Sequence, residues 1–229
     1  MDWLPDFAAA ALAAILAITL HEAAHGYAAR ALGDDTAARM GRLSLNPLRH
    51  VDPVGTLLVP GLLLISQLLV SGRVDVMFGW AKPVPVNIMA LRNPRFGMVL
   101  VAAAGPAINV ALAVAAAILL HPLQGPGGDN FLDWIEGFLI LSLIGNLVLA
   151  AFNLLPIPPL DGGRILGGLL PPVIGIPFLR LERAGLFIVL GVLFLVPMAV
   201  PGFDPLRSLV SAVVLPGARF ILAVTGHGG

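Results

Sequence analysis

Apolar positions in this chain do not alternate with polar ones. They gather into long uninterrupted runs separated by short connectors rich in proline, glycine and charge. The runs cover about 7–33, 54–71, 96–120, 132–155 and 184–200, with a weaker one at 206–224. Runs of this length, without the polar face that a 3.6-residue period leaves on a soluble helix, predict helices surrounded by lipid. The first is expected from Pro5 to Leu32, since proline fits a first turn and Gly33 suits the residue after a helix end. The 54–71 run is broken by Pro60-Gly61, and 206–224 carries Arg207, Pro216 and Arg219, so crossing and lying in the interface are both open to it. Between the runs, Met40–Leu45 predicts a short strand. The Pro83-Val84-Pro85-Val86 stretch predicts extended backbone, because a residue preceding proline is pushed out of the helical region. The predicted fold is an all-α polytopic membrane protein of about five to six membrane segments, with short strand or re-entrant elements.

Composition agrees. Of 229 residues, 58% are hydrophobic and 11% charged, where soluble domains run near 25% charged. Mean hydropathy is +0.95. The chain has no cysteine, which removes disulfides and thiolate metal sites and leaves His, Asp and Glu as metal ligands. Net charge is zero with no basic block, so nucleic acid is not an expected partner; the lipid bilayer is. The first run lacks a basic leader and continues to Gly33, which reads as a retained helix rather than a cleaved signal. The connectors are too short to fold alone, so 1–229 is expected to be a single integral membrane domain.

Where the positive charges fall predicts the topology. Eight of the 13 Lys and Arg residues sit in two connectors: Arg30, Arg39, Arg42 and Arg49 in one, Arg73, Lys82, Arg92 and Arg95 in the other. By the positive-inside rule both are cytoplasmic, while the connector 121–133, with neither Lys nor Arg, belongs outside. An even number of crossings is then required between the two basic connectors. Either 54–71 is re-entrant, hinged at Pro60-Gly61, or it crosses and 76–90 returns as non-helical backbone beside the site.

The first run contains the most unusual chemistry. His21-Glu22-Ala23-Ala24-His25 lies where no other charged residue occurs between Asp6 and Arg30. At 1.5 Å per residue His21 sits about 21 Å beyond Phe7, roughly two thirds of the way through a ~30 Å hydrocarbon core. Ionisable groups there are expensive and mark a functional site by default. His21 and His25 are i and i+4 on one helix face, spaced to share a Zn²⁺, and Glu22, roughly 100° round, is placed to take a proton from water. Two packing histidines with a chance Glu between them would look the same in isolation, so a third ligand is required.

The second dense cluster supplies a candidate: Asn153-Leu-Leu-Pro156-Ile-Pro158-Pro159-Leu-Asp161-Gly162-Gly163-Arg164. Three prolines in four residues must end the fourth helix. Irregular backbone at membrane depth is tolerated only against protein or a water-filled cavity. Asp161, followed by two glycines that permit close backbone approach, is expected either to complete a His₂-carboxylate site or to cap a short helix starting at Gly162. The cap reading explains neither the prolines nor the HExxH.

HEAAH in a membrane helix, AGPAIN at 104–109 and NLLPIPPLDGGR at 153–164 together resemble the site-2 protease family of intramembrane zinc metalloproteases. The stretches Leu45–Gly55 and Phe78–Asn87 resemble its compact bacterial branch, without a PDZ insert or CBS pair. The likeness covers roughly 10–170, which makes about 5–170 the catalytic core and 183–225 accessory membrane segments. The resemblance implies one zinc per chain on His21, His25 and Asp161, with Glu22 as catalytic base. It also implies that Asn153 holds substrate backbone. Asn109, after Gly105-Pro106, is expected to make a helix–helix hydrogen bond or to scaffold the site, with direct substrate contact as the other reading. The implied activity is hydrolysis of a peptide bond in or near the membrane segment of transmembrane protein substrates, in a bacterial inner membrane, with the site toward the cytoplasm.

Three protein ligands would leave a fourth zinc position for water, as in catalytic sites. A helical substrate must unwind before its carbonyls can be attacked, and Val84–Asn87 is expected to offer unpaired backbone for such a strand. The competing readings are a zinc-binding scaffold without proteolysis and a transporter, which also places ionisable residues beside broken helices. Asn146 is expected to be packing glue, His50 a turn or supporting residue, and Glu136 and Glu182 solvated helix ends. Trp3, Trp80 and Trp134 are expected in interfacial belts.

Overall fold

A computed structural model describes residues 3–70, 72, 79, 81–121, 130–200 and 202–227. The sequence-based expectations for Arg73 and Trp80, most of 71–80 and most of the 121–133 connector lie outside the described residues. Helix α1 spans Trp3–Ala31, α2 Val59–Val70, α3 Pro94–Leu120 and α4 Asn130–Asn153. Then come α5, Asp161–Leu169, α6, Pro172–Arg180, α7, Phe187–Ala199, and α8, Pro205–Val224. Four described helices are long and apolar enough to cross a membrane, or five if the segments Pro172–Ala184 and Phe187–Ala199, which meet at 75°, count as one bent span. The protein is an all-α polytopic membrane protein.

Three helices make the frame of the site, and two pairs of contacts fix their directions. Near its start α1 meets the start of α4, where the Trp134 indole N–H donates to the Pro5 carbonyl at 2.9 Å. Near its end α1 meets the residues just beyond α4, where His21 and His25 approach Asp161. These two helices are therefore parallel. Helix α3 runs the opposite way: Asn109, past its middle, contacts Ala17, while Arg92, just before it, donates its N–H to the Leu32 carbonyl at 2.9 Å. Residues 30–53 and 84–95 thus meet at one end of the bundle.

Small residues let these helices approach. Ala113, Ala116 and Ala117 of α3 are almost fully buried against Leu139, Leu143 and Leu147 of α4. Val214, Ala218 and Ile221 of α8 join the same cluster. Of the two placements open to 206–224, this packing favours a helix of the bundle, and it is long and apolar enough to cross. One apolar face of α8 packs into the bundle, while Arg207 is exposed near its first turn, where Asp204 caps the helix.

No hinge forms at Pro60-Gly61, one of the two alternatives open to 54–71. A wide π-helical stretch, Pro53–Leu58, leads directly into α2, so Pro60 falls near the start of a new helix rather than inside a regular one. There its missing N–H and its ring bulk cost little. The start of this unit is fixed by Asp52, whose carboxylate accepts from the N–H groups of Val54 and Gly55.

The predicted strands do not form among the described residues either. Residues 36–39 form one helical turn and 40–46 are irregular, while 81–87 is non-helical and pairs with no strand. Its polar groups find other partners. The Lys82 N–H donates to the His50 carbonyl at 2.9 Å, and the Arg42 guanidinium to the carbonyls of Lys82 and Pro83. The N–H of Val84 donates to Glu22 and that of Asn87 to Asp34. Pro83 and Pro85 leave one edge of this segment without donors, and on the other edge the N–H groups of Lys82 and Val84 are already taken by His50 and Glu22.

Candidate metal centre

The site assembles from three places in the chain. His21 and His25 project from one face of α1, as the i, i+4 spacing requires. Behind them stands α3, and Gly105 is what lets it stand so near. A Cβ there would lie 2.6 Å from the Cε1 atoms of both imidazoles. Asp161 arrives from α5, after the chain has left α4 at Asn153 and turned irregularly through 154–160. Gly162 and Gly163 make that turn possible, because a Cβ at either would fall within 2.4 Å of the backbone of the proline segment. The far end of α5 is clamped by Arg95 of α3, whose guanidinium donates to the carbonyls of Gly168 (2.7 Å), Leu169 (3.1 Å) and Leu170 (2.6 Å). Sequence reading treated Arg95 only as a topological charge.

His21 Nε2, His25 Nε2 and Asp161 Oδ2 form a small triangle. Its edges are 3.1 Å between the nitrogens, 3.2 Å from His21 to the carboxylate oxygen and 3.4 Å from His25 to it. Ligands about 2.0–2.1 Å from a tetrahedral zinc stand about 3.3–3.4 Å apart, so the triangle has the size of one face of such a site. All three side chains are buried.

Their protonation points the same way. His25 Nδ1 lies 2.7 Å from the Val101 carbonyl, which can only accept. His21 Nδ1 lies 2.6 Å from Oδ1 of Asn109. Both imidazoles therefore carry hydrogen on Nδ1, and in that neutral tautomer each turns an Nε2 lone pair toward the other ring and toward a carboxylate. Asp161 Oδ2 is buried with no hydrogen-bond donor. Three acceptors facing one another repel, and a cation among them removes that repulsion. The residues fit Zn²⁺, a metal suited to two imidazoles and a carboxylate.

Asp161 does not act as a cap. It is the first residue of α5, the cap position belongs to Leu160, and no side-chain cap bond forms. Glu22 and Asn153 both line a cavity of about 540 Å³ that also exposes His21, His25 and Asp161. Glu22 Oε2 accepts the Val84 N–H at 2.9 Å, and the Asn153 amide donates to Leu149 at 3.0 Å. Asn109 stands elsewhere. It is wholly buried behind His21, accepts from its Nδ1 and does not line the cavity. The reason is its place on the helix: α3 lines the opening with Met98, Val101 and Ala102, nearer its start, whereas Gly105 and Asn109 meet the histidines from behind.

Two residues at the cavity were missed. Glu182, read as a solvated helix end, pairs with Arg164 of the same motif that carries Asp161, and both line the opening. Only the motif's own arginine hinted at a partner. His50 is buried, donates from Nε2 to the Ser44 carbonyl at 2.8 Å and takes no part in the triangle.

Comparison with known proteins places these features in a lineage. Residues 128–196 match the model of peptidase family M50. YwhC of Bacillus subtilis, named as a zinc metalloprotease, is 41% identical over 213 residues, which are 88% of this chain and 90% of that protein. Rip2 of Mycolicibacterium smegmatis, also named as a zinc metalloprotease, is 32% identical over 150 residues, 65% of this chain and 52% of its own length. MJ0611 of Methanocaldococcus jannaschii, with a name of the same kind, is 47% identical over 66 residues, 29% of this chain and 31% of its own. No solved structure matches the chain. Identity that spans nearly all of both this chain and YwhC, with His21, His25 and Asp161 folded into one triangle, shows that the chain belongs to peptidase family M50, the site-2 protease family of zinc metalloproteases.

Proposed function

We propose that this protein hydrolyses peptide bonds in or beside the membrane segments of other membrane proteins, using one zinc ion per chain. The observation that carries the proposal is the joint placement of a base and a ligand triangle. Glu22, His21, His25 and Asp161 share the wall of one cavity, and that cavity is framed by helices long and apolar enough to span a bilayer. A transporter needs no such base beside a tetrahedral ligand face, and a metal-binding scaffold needs no opening onto it.

His21, His25 and Asp161 would hold the zinc, which lowers the pKa of water and polarises a carbonyl when bound. Glu22 takes a proton from water as the oxygen attacks the scissile carbonyl, then delivers that proton to the amine as the C–N bond breaks. The Val84 N–H keeps one carboxylate oxygen of Glu22 in place, leaving the other for this transfer. Asn153, on the cavity wall, is positioned to hold the backbone of an unwound substrate. The non-helical 81–87 segment borders the same opening, but the N–H groups of Val84 and Asn87 already serve Glu22 and Asp34. A substrate strand added there would have to use other backbone groups.

Arg30 in the last turn of α1, and Arg39, Arg42 and Arg49 beyond it, stand at the end of the bundle where the site lies. The positive-inside rule puts that end toward the cytoplasm of a bacterial inner membrane. The test uses purified chain and a model transmembrane peptide. Wild type is expected to carry one zinc per chain and to cleave in a chelator-sensitive manner. Glu22→Gln, which still offers an oxygen to Val84, should keep the zinc and lose about 10²–10⁴-fold in rate. Cleavage by Glu22→Gln at the wild-type rate overturns the proposal.

A further inference from the structure

We infer that Asn146, which lies outside the triangle and off the cavity wall, is a positioning residue that acts through Asn109 to hold His21 in its metal-binding tautomer. The inference rests on the zinc reading of the triangle. It begins with a difference between the two histidines. His25 Nδ1 faces the carbonyl of Val101, a backbone oxygen that cannot turn over. His21 Nδ1 instead faces a side-chain amide, that of Asn109. An amide can rotate by 180° and present NH₂ in place of oxygen. Were Asn109 to turn, His21 Nδ1 would become an acceptor and its hydrogen would move to Nε2, the atom that faces Asp161 and His25. A protonated Nε2 cannot ligate a metal.

The structure carries a lock against that rotation. Asn109 donates its NH₂ to Oδ1 of Asn146 at 2.7 Å, and more loosely to the Ala17 carbonyl at 3.3 Å. Asn146 has its own orientation fixed, because its NH₂ donates to the Ser142 carbonyl at 2.8 Å. From Ser142 each step admits one direction: a backbone oxygen takes the Asn146 hydrogens, the Asn146 oxygen takes those of Asn109, and the Asn109 oxygen takes the hydrogen of His21 Nδ1. The relay crosses from α4 through α3 to α1. Asn109 is wholly buried and Asn146 is 3% exposed, so bulk water does not replace a lost partner.

The test measures zinc affinity of the purified full-length chain in detergent, stripped of metal and titrated against a competing chromophoric chelator. Asn146→Leu keeps apolar packing but removes the acceptor, and zinc should bind about 10-fold more weakly, within the range typical of supporting residues around a metal. Asn146→Asp keeps an oxygen toward Asn109 and should stay within about threefold of wild type. Asn146→Ala serves if the leucine variant folds poorly. In an Asn109→Leu background the Asn146→Leu change should have no further effect, because the relay is already cut. The melting temperature of the metal-free protein should not follow these affinities, whereas a merely structural role would make it do so. Unchanged zinc affinity in Asn146→Leu, or an equal loss in both backgrounds, overturns the relay while the metal site stands. Wild type that takes up no zinc overturns both.

Discussion

The backbone N–H of Val84 donates to the carboxylate of Glu22 at 2.9 Å, joining the HExxH helix to a proline-flanked segment 62 positions later. Val84 stands between two residues that have no N–H, so its amide is the donor this stretch can offer at that depth. Charge-assisted hydrogen bonds of this kind contribute about 1.5–3 kcal/mol. Val84→Pro deletes the donor and retains extended backbone. It is expected to lower kcat about 10-fold with zinc content unchanged, while Val84→Ala, which keeps the N–H, stays near wild type. Steady-state cleavage beside metal analysis decides this.

Gly105 makes a second, sharper prediction. An added methyl would sit 2.6 Å from both imidazoles, whereas one at Gly145 of α4 meets nothing within 4 Å. Helix α3 would have to move away from α1, and the ligand triangle would open. Gly105→Ala should weaken zinc binding at least about 10-fold, and Gly145→Ala should leave it unchanged. Chelator competition on the two variants is the comparison.

Arg95 clamps the end of α5 through three carbonyls. Arg95→Met retains much of the side chain's apolar length but none of its donors. The expected loss is about 2–3 kcal/mol in stability, read as a lower unfolding midpoint of the metal-free protein. Because α5 begins at Asp161, zinc affinity should fall as well.

Asp34 gives a pH dependence. Burial pushes its carboxyl up, but the hydroxyl and N–H of Thr36, the N–H of Asn87 and the charge of Arg39 outweigh that and hold it below the ordinary value. A depressed carboxyl contributes stability that is fully present above its unfolded-state pKa of about 3.9 and is lost as pH falls through the lower folded value. Wild type should therefore melt above Asp34→Asn at pH 7. The gap should shrink below about pH 4, once the carboxyl begins to take up protons. Melting curves from pH 7 to pH 3 test it.

Much of this protein was legible in its residues because hydrophobic runs and helical spacing are local. The membrane helices, the pairing of His21 with His25 on one face and the end of α4 at Asn153 follow from the length of the apolar runs, from helical pitch and from where proline cannot continue a helix. Asp161 could be nominated because an unwound segment at membrane depth needs a reason. What sequence alone left undecided depends on which side of a helix meets which neighbour. It could not tell that Asn109 stands behind His21 instead of in the opening, that 81–87 gives its amides to Glu22 and Asp34 instead of to a strand, or that Arg95 and Glu182 find partners more than 15 positions away. Those are contacts between distant parts of the chain, set by packing after the helices have formed, and no local pattern records them.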